Sequence, residues 1–468
     1  MRLRADRLAE LPAAVRRPNY DRARQAVGIV HFGIGAFHRA HQAVYTEDAM
    51  DAGDRDWAIV GVSLRSASVA QQMNPQQGLY SLSARSGAAI DCRVIGAVKK
   101  VLVASEQDDE LIALLASADV RVLTFTITEK GYCSAANGLL DFSAANESSV
   151  YRYLTAGLAR RRMQRLGGLT MLSCDNLSGN GERLRRWLGL YLQRHDPSLA
   201  EWVDQHCAFP SSMVDRIVPA TTEADHRAAT AALGMDDLAH VATEPFSQWV
   251  IEDRFVCGRP NWADHGAELV QDVAPYETAK LRMLNGAHSA LAYLGLIRGY
   301  TFVHEAIADA EIRSIVQRLM CDEAAPGVAC APGQDLGRYA SSLLQRFANR
   351  ALNHRLEQIA VDGSQKIPQR WLDTLIFHSR EGRHCESILI ALAAWLLHVR
   401  GDARRVDDPL AEKMAAAWRQ QGDAGVLPAL FGPRGLVSTI WTPSQREADT
   451  IRENIKKLSQ LESLGFSA

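Results

Sequence analysis

Lys280, Asn285 and His288 stand close together in PYETAKLRMLNGAHSAL, with Glu277 just ahead of them. Pro275 suits the first position of a helix, where its missing N–H has no partner to lose. No breaker follows it before Gly286. At roughly 100° per residue, Glu277, Lys280, Asn285 and His288 fall within an arc of about 140° on one α-helix. Buried in a protein core, each of these polar groups would need a partner. Around a substrate hydroxyl, the four would supply a base, an oxyanion donor, an orienting group and a proton outlet. A secondary alcohol that gives up hydride must also give up a proton. A lysine takes that proton without a metal when burial and nearby cations lower its pKa towards neutrality. The bland alternative for Glu277 and Lys280 is a surface i,i+3 ion pair, worth a few tenths of a kcal/mol.

A second group opens the chain. IVHFGIGAFHRAHQ reads as strand, G-x-G, helix. Gly33 would allow the tight turn, and Gly35 would let backbone approach a pyrophosphate at the start of the helix. The third glycine of the usual dinucleotide fingerprint is missing, and Phe37 or His38 fills that stretch. Arg39 follows as a candidate phosphate contact. His38 and His41 are three apart, but no nearby carboxylate or cysteine completes a metal site, so no metal is expected. The adenosine ribose is usually read by an acid at the end of the second strand. Here that end is Val62-Ser63-Leu64-Arg65, without an acid. Ser63 suits a ribose hydroxyl and Arg65 a 2′-phosphate, which leaves NAD against NADP open. A further amide comes from LSCDNLSGNG, where Asp175 and Asn176 follow a strand at the end where α/β sheets bind ligands. A turn-forming role is the plain alternative for Asn176.

The elements that must position these residues can be read coarsely. Short apolar runs at 26–35, 58–64, 121–128 and 169–174 read as buried strands, with helices at 36–53 and 178–196. After about Pro275 the strand-like runs stop. The rest reads as helices at 276–298, 303–321, 335–350, 387–400, 408–420 and 444–463. The fold class is therefore α/β plus all-α: a Rossmann-like dinucleotide-binding domain over 1–275, then a mostly helical substrate and catalytic domain over 276–468. A chain of 468 residues also exceeds one ordinary core. Its net charge of -2 offers no broad basic field for nucleic acid or an anionic membrane. No apolar run approaches a membrane span. The eight cysteines are scattered without a C-x-x-C pair, which suits a reducing cytoplasm. The N-terminal stretch MRLRADRLAELPAAVRRP reads as a surface arm, not a transit peptide, because it carries Asp6 and Glu10 and lacks serine.

Seven segments give the chain a resemblance that spans nearly its whole length. They are IVHFGIGAFHRAHQAVY, TITEKGYC, MLSCDNLSGNG, FPSSMVDRIVPATT, EPFSQWVIED, KLRMLNGAH and DGSQKIPQR. Together they resemble the mannitol dehydrogenase family, the polyol-specific long-chain dehydrogenases that include fructuronate reductases. The resemblance implies a Rossmann-like domain, a helical domain and a cleft between them. It implies zinc-independent hydride transfer between a nicotinamide and C2 of a sugar alcohol or aldonate. By position, Lys280 would be general base in oxidation and general acid in reduction, with Asn176 and Asn285 as the oxyanion hole. His288 would orient substrate, Glu277 would line a water path, Asp215 would bond a substrate hydroxyl, and Lys366 would reach its far end. Mannitol dehydrogenases typically carry a polyol-contacting arginine where this chain has Gln358. HR…QIA.DGSQK.PQR looks more like the fructuronate reductase branch. Arg355, Lys366 and Arg370 then offer cations to a substrate carboxylate.

The expected activity is interconversion of D-fructuronate and D-mannonate with NAD, NADP not being excluded. The alternative is a mannitol or polyol 2-dehydrogenase. A β-hydroxyacid dehydrogenase and a non-catalytic nicotinamide-binding protein are more distant readings. The expected partner is a small sugar acid or polyol, and the resemblance implies a monomer.

Overall fold

The computed structural model describes residues 1–465 apart from 88, 136–137 and 146–148. The chain forms two compact units, Met1–Ala274 and Pro275–Ala468.

Among its described residues the first unit holds eleven strands: β1 (Val27–Phe32), β2 (Ala58–Ser63), β3 (Tyr80–Ser86), β4 (Ala89–Ile95), β5 (Val98–Val103), β6 (Val122–Phe125), β7 (Thr170–Ser173), β8 (Ser212–Asp215), β9 (Val241–Thr243), β10 (Gln248–Glu252) and β11 (Ala267–Val270). The central sheet has the order β5-β2-β1-β6-β7, and every pairing in it is parallel. A parallel sheet is covered on both faces, so its strands read as near-continuous apolar runs. That is why VGIVHF, AIVGVS and VLTF stood out in the sequence. The helices Val150–Met163, Asn180–His195 and Pro197–His206 pack into the core on one side. Trp57, Trp249 and Trp262 belong to a second core with the Ala36–Asp51 segment.

Strand order reverses at β1, which lies between β2 and β6. Register aligns the carboxyl ends: Phe32 pairs with Val62 and with Phe125, and Phe125 pairs with Ser173. Gly33, Ser63, Thr126 and Cys174 therefore leave one edge of the sheet, where open α/β sheets bind ligands.

Several expectations need correction. The helix read at 36–53 is two helices, Ala36–Ala40 and Gln42–Asp51, broken at His41 (φ -125, ψ -92). The His41 ring donates through Nε2 to the Gln248 carbonyl at 2.8 Å, which ties the break to β10. The strand read at 121–128 stops at Phe125. Thr128 then takes a left-handed conformation, φ 62. The N-terminal stretch is no free arm: Leu3, Leu11 and Val15 are buried with Leu79, Val94, Leu233 and Met235. Strands β3–β5 and β8–β11 were not foreseen.

Among the described residues of the second unit there are helices and no sheet strand. Gly286–Ile297 is buried at every position, as a helix that is apolar all round should be. Glu386–Arg400 is buried nearly throughout and packs in the same core. The helix read at 276–298 is not one regular α-helix. Ala274–Ala279 is α, Lys280–Asn285 is a π-helix, and α geometry resumes at Gly286. The 100° wheel therefore misplaces Lys280 relative to His288. Helical segments at Leu356–Ala360, Gly363–Ile367 and Asp373–Arg380, with a π turn at Pro368–Leu372, were also missed.

Candidate functional site

In the first unit the site begins at the glycine turn. Gly33 has φ 95, and a Cβ there would lie 2.1 Å from the Thr126 carbonyl oxygen. Its N–H donates to Val62 O at 2.8 Å, and its carbonyl accepts from the Thr126 hydroxyl at 2.8 Å. Gly33→Ala should cost about 1–3 kcal/mol of stability, measured by denaturant unfolding. An unchanged midpoint would mean that the turn is not closed as described.

Gly35 behaves differently. The nearest atom to a Cβ there is Gly33 O at 3.8 Å, so its surface is open. Gly35 starts the Ala36–Ala40 helix without a side-chain cap. Phe37 is half-buried and stacks on His41 at 5.1 Å.

Beneath the turn, His31 stacks on His38 with ring centroids 3.4 Å apart. Burial pushes the His31 imidazole down to about 3. Burial, then the His31, Arg39 and His41 charges, pushes His38 well below its usual range. Both rings are thus neutral at ordinary pH, which lets them stack without repulsion. Among the described residues no group of three or more His, Cys, Asp or Glu is placed to hold a metal.

Arg39 is a correction. It is buried and turned into the core, not towards a phosphate at the helix start. Its Nη1 donates to Ala239 O at 2.5 Å and its Nε to Gly35 O at 3.3 Å. It therefore braces the glycine turn from behind. Ser63 ends β2 half-buried, and Arg65 beyond it is exposed.

Past β7, Asp175 is buried and organises its surroundings. Its carboxylate accepts from Thr128 N–H at 2.9 Å, Ile127 N–H at 3.3 Å and Tyr132 O–H at 2.8 Å. Asn180 donates to Asp175 O at 2.9 Å and Ser212 O at 2.8 Å, which fixes the loop carrying Asn176 to β8. Asn176 itself is exposed on that loop. Asp215 is the buried last residue of β8. Arg216 beside it donates to Glu244 O at 3.1 and 2.9 Å. Sequence reasoning missed Asp175 and Asn180 as supports. The signal available was two polar residues five apart that could cap the loop they bracket.

In the second unit, Lys280 and Asn285 are the first and last residues of the π-helix, and both are half-buried. Such turns recur at functional sites because they displace groups from the regular helical ladder. Glu277, one turn earlier, is half-buried. His288 is buried, and its Nε2 lacks a hydrogen-bond partner among the described residues. Burial first, then His354, Arg346 and Arg370, holds its imidazole well below the usual range. It meets His354 edge-on at 5.4 Å and Phe347 at 4.7 Å.

The Leu356–Ala360 helix packs along Gly286–Ile297, and a Cβ on Gly295 would lie 2.6 Å from Leu356. Gln358 is exposed on it. Arg355 is exposed too, paired with Glu357 at 3.2 Å. Lys366 is half-buried and donates to Val361 O at 2.5 Å. Burial first, then the Arg370 charge, lowers its pKa. Its turn is tightly built. Asp362 is left-handed at φ 56. Gly363 has no room for a Cβ, which would lie 2.4 Å from Trp395 Nε1. Ser364 N–H donates to Asp408 at 2.7 Å. Arg370 is a second correction to the cation set: its Nη1 faces Ser289 Oγ at 2.7 Å and Asn285 O at 3.3 Å.

Residues 27–264 match the family model for the mannitol dehydrogenase Rossmann domain, and residues 272–430 match that for the mannitol dehydrogenase C-terminal domain. The chain belongs to the mannitol dehydrogenase family. Among family relatives, the D-mannonate oxidoreductase of Escherichia coli (strain K12) is 38% identical over 92% of each chain. A mannitol 2-dehydrogenase of Aspergillus fumigatus is 36% identical over 90% of each. The Pseudomonas fluorescens mannitol 2-dehydrogenase, solved as a ternary complex with NAD and D-mannitol, superposes with a TM-score of 0.86 at 34% identity, covering 99% of both chains. Membership makes this chain one of an enzyme family with a Rossmann-type sheet and a helical C-terminal domain. No helix among the described residues is long and apolar enough to cross a membrane.

Proposed function

We propose that this chain reduces the 2-keto sugar acid D-fructuronate to D-mannonate, reversibly, with NAD(H). In this reading Met1–Ala274 is the dinucleotide-binding unit and Pro275–Ala468 carries the proton chemistry. The observation that carries it is the segment 280–288. It holds an amine and an amide at the two ends of a π turn, then a buried neutral imidazole with a free ring nitrogen.

The first unit's residues fit a dinucleotide. Gly35 is open where backbone must approach a pyrophosphate, and no side chain caps the helix it starts. Ser63 and Arg65 stand where the adenosine ribose is read. When bound, the nicotinamide accepts or donates the hydride. Lys280 takes the alcohol proton in oxidation and returns it in reduction. Asn285 and Asn176 supply amide donors for an oxygen that gains negative charge. The free nitrogen of His288 orients a substrate hydroxyl, and Glu277 passes the proton towards water. Asp215 bonds a further hydroxyl. Because Arg370 faces inward, Lys366 and Arg355 are the cations for the substrate carboxylate.

The D-mannonate oxidoreductase relative supports the acid substrate, and so does Gln358 in place of a polyol-contacting arginine. The mannitol 2-dehydrogenase relatives support a second reading, oxidation of D-mannitol to D-fructose. Turnover of D-fructuronate and D-fructose, each with NADH and NADPH, separates the two. The acid reading expects kcat/KM for fructuronate to exceed that for fructose, and Gln358→Arg to narrow the gap. Equal or better use of the neutral sugar, with no effect of Gln358→Arg, would sink it. We assign a cytoplasmic working form, supported by eight cysteines scattered without a C-x-x-C pair, and a monomer, supported by the family resemblance.

A further inference from the structure

We infer that Arg370, together with Trp371, is a positioning clamp that sets the orientation of Asn285 through the main chain, and is not a contact for substrate. The inference rests on the reading of Asn285 as an oxyanion donor. Arg370 and Trp371 lie in the π turn Pro368–Leu372, and Asn285 closes the π turn Lys280–Asn285. The two irregular turns engage through consecutive residues on each side. Arg370 Nη1 donates to Asn285 O at 3.3 Å, and Trp371 Nε1 donates to Gly286 O at 3.2 Å. The same Nη1 donates to Ser289 Oγ at 2.7 Å, one helical turn further on.

Asn285 and Gly286 stand where the π turn gives way to the α-helix Gly286–Ile297, at the N-cap and first helical position. Their carbonyls receive a guanidinium and an indole from outside the helix, in addition to the helix's own ladder. The approach is close: a Cβ on Gly286 would lie 3.4 Å from Trp371 Nε1 and 3.5 Å from Arg370 O. Trp371 is fully buried. Among the described residues no carboxylate pairs with Arg370, and burial pushes its guanidinium down to about 10. Holding a cation there without a counter-charge is costly. The return is a fixed junction, because the planar guanidinium spans Asn285 O and Ser289 Oγ with one nitrogen. Small displacements of a catalytic group cost rate, on the order of a hundredfold per ångström in demanding cases. The Lys366 helix runs directly into the same π turn, so the clamp also registers Lys366 against Asn285.

The test is a double-mutant cycle on the full chain with Arg370→Met, Asn285→Ala and the double variant, plus Arg370→Lys as the conservative replacement. The quantities read are kcat, KM for each sugar and cofactor Kd. Arg370→Met should lower kcat by about ten- to a hundredfold, with KM and cofactor Kd near wild type. Arg370→Lys should recover part of that loss. The double variant should be no slower than Asn285→Ala alone, because a clamp has nothing left to position. Additive losses would make Arg370 merely structural and overturn the inference. So would a rise in KM confined to sugar acids at unchanged kcat, which is the signature of a substrate contact. If Arg370→Met does not fold, the same cycle built on Arg370→Lys separates positioning from a structural role in the same way. Failure of the underlying reading looks different: Asn285→Ala itself would leave kcat unchanged.

Discussion

Lys280→Ala should lower kcat by about 10²–10⁴-fold in both directions of the reaction, the usual contribution of a positioned acid–base group. The alcohol proton has to leave as the C–H bond breaks, and Lys280 is the amine at the head of the π turn. Its half-buried position keeps it next to protein groups without sealing it from proton exchange. Cofactor affinity should stay near wild type, because the glycine turn belongs to the other unit and holds itself closed through Val62 and Thr126. Raising the pH or adding small primary amines should restore part of the rate. Steady-state kinetics with a fluorescence titration of NADH checks all of this. Near-normal turnover in the variant would remove Lys280 from the mechanism.

The second large effect is expected at the amides. Asn285→Ala and Asn176→Ala should each lower kcat by roughly 10²–10³-fold, the range for removal of one oxyanion donor. Asn285→Asp should be at least as damaging, because a carboxylate repels the alkoxide that the amide would stabilise. The supports for the two amides differ. Asn285 is held through its main chain by Arg370, while the Asn176 loop is held by Asn180 on both Asp175 and Ser212. Asn180→Ala should therefore mimic a weaker form of Asn176→Ala. Initial-rate measurements decide the role: a lower affinity at unchanged kcat would assign the amides to ground-state binding instead.

The legible part of the fold had a physical signal in the sequence. Parallel strands buried on both faces leave long apolar runs, so β1, β2 and β7 could be read directly. Short strands outside that sheet leave none: β9 has three residues, and β4 alternates apolar with polar in AIDCRVI. The π turn was illegible because KLRMLN contains no breaker and favours a helix of either kind. The direction of a long cation is equally hidden. Arg39 and Arg370 both follow motifs that suggest anions, yet both turn inward to main-chain carbonyls. What a residue type can do was readable, but not which way its last four bonds point.

Hydride transfer between C2 of a sugar acid and a nicotinamide is the central claim, and the fate of an isotope tests it most directly. The enzyme would be given D-mannonate deuterated at C5, the carbon that becomes the C2 carbonyl of D-fructuronate, with NAD, and the reduced cofactor analysed by mass spectrometry. The expected result is deuterium in the dihydronicotinamide, a slowed wild-type rate, and no labelled product from Lys280→Ala on the same timescale. Unlabelled reduced cofactor, or no reduction with D-mannonate, D-mannitol or any related polyol, would contradict the account.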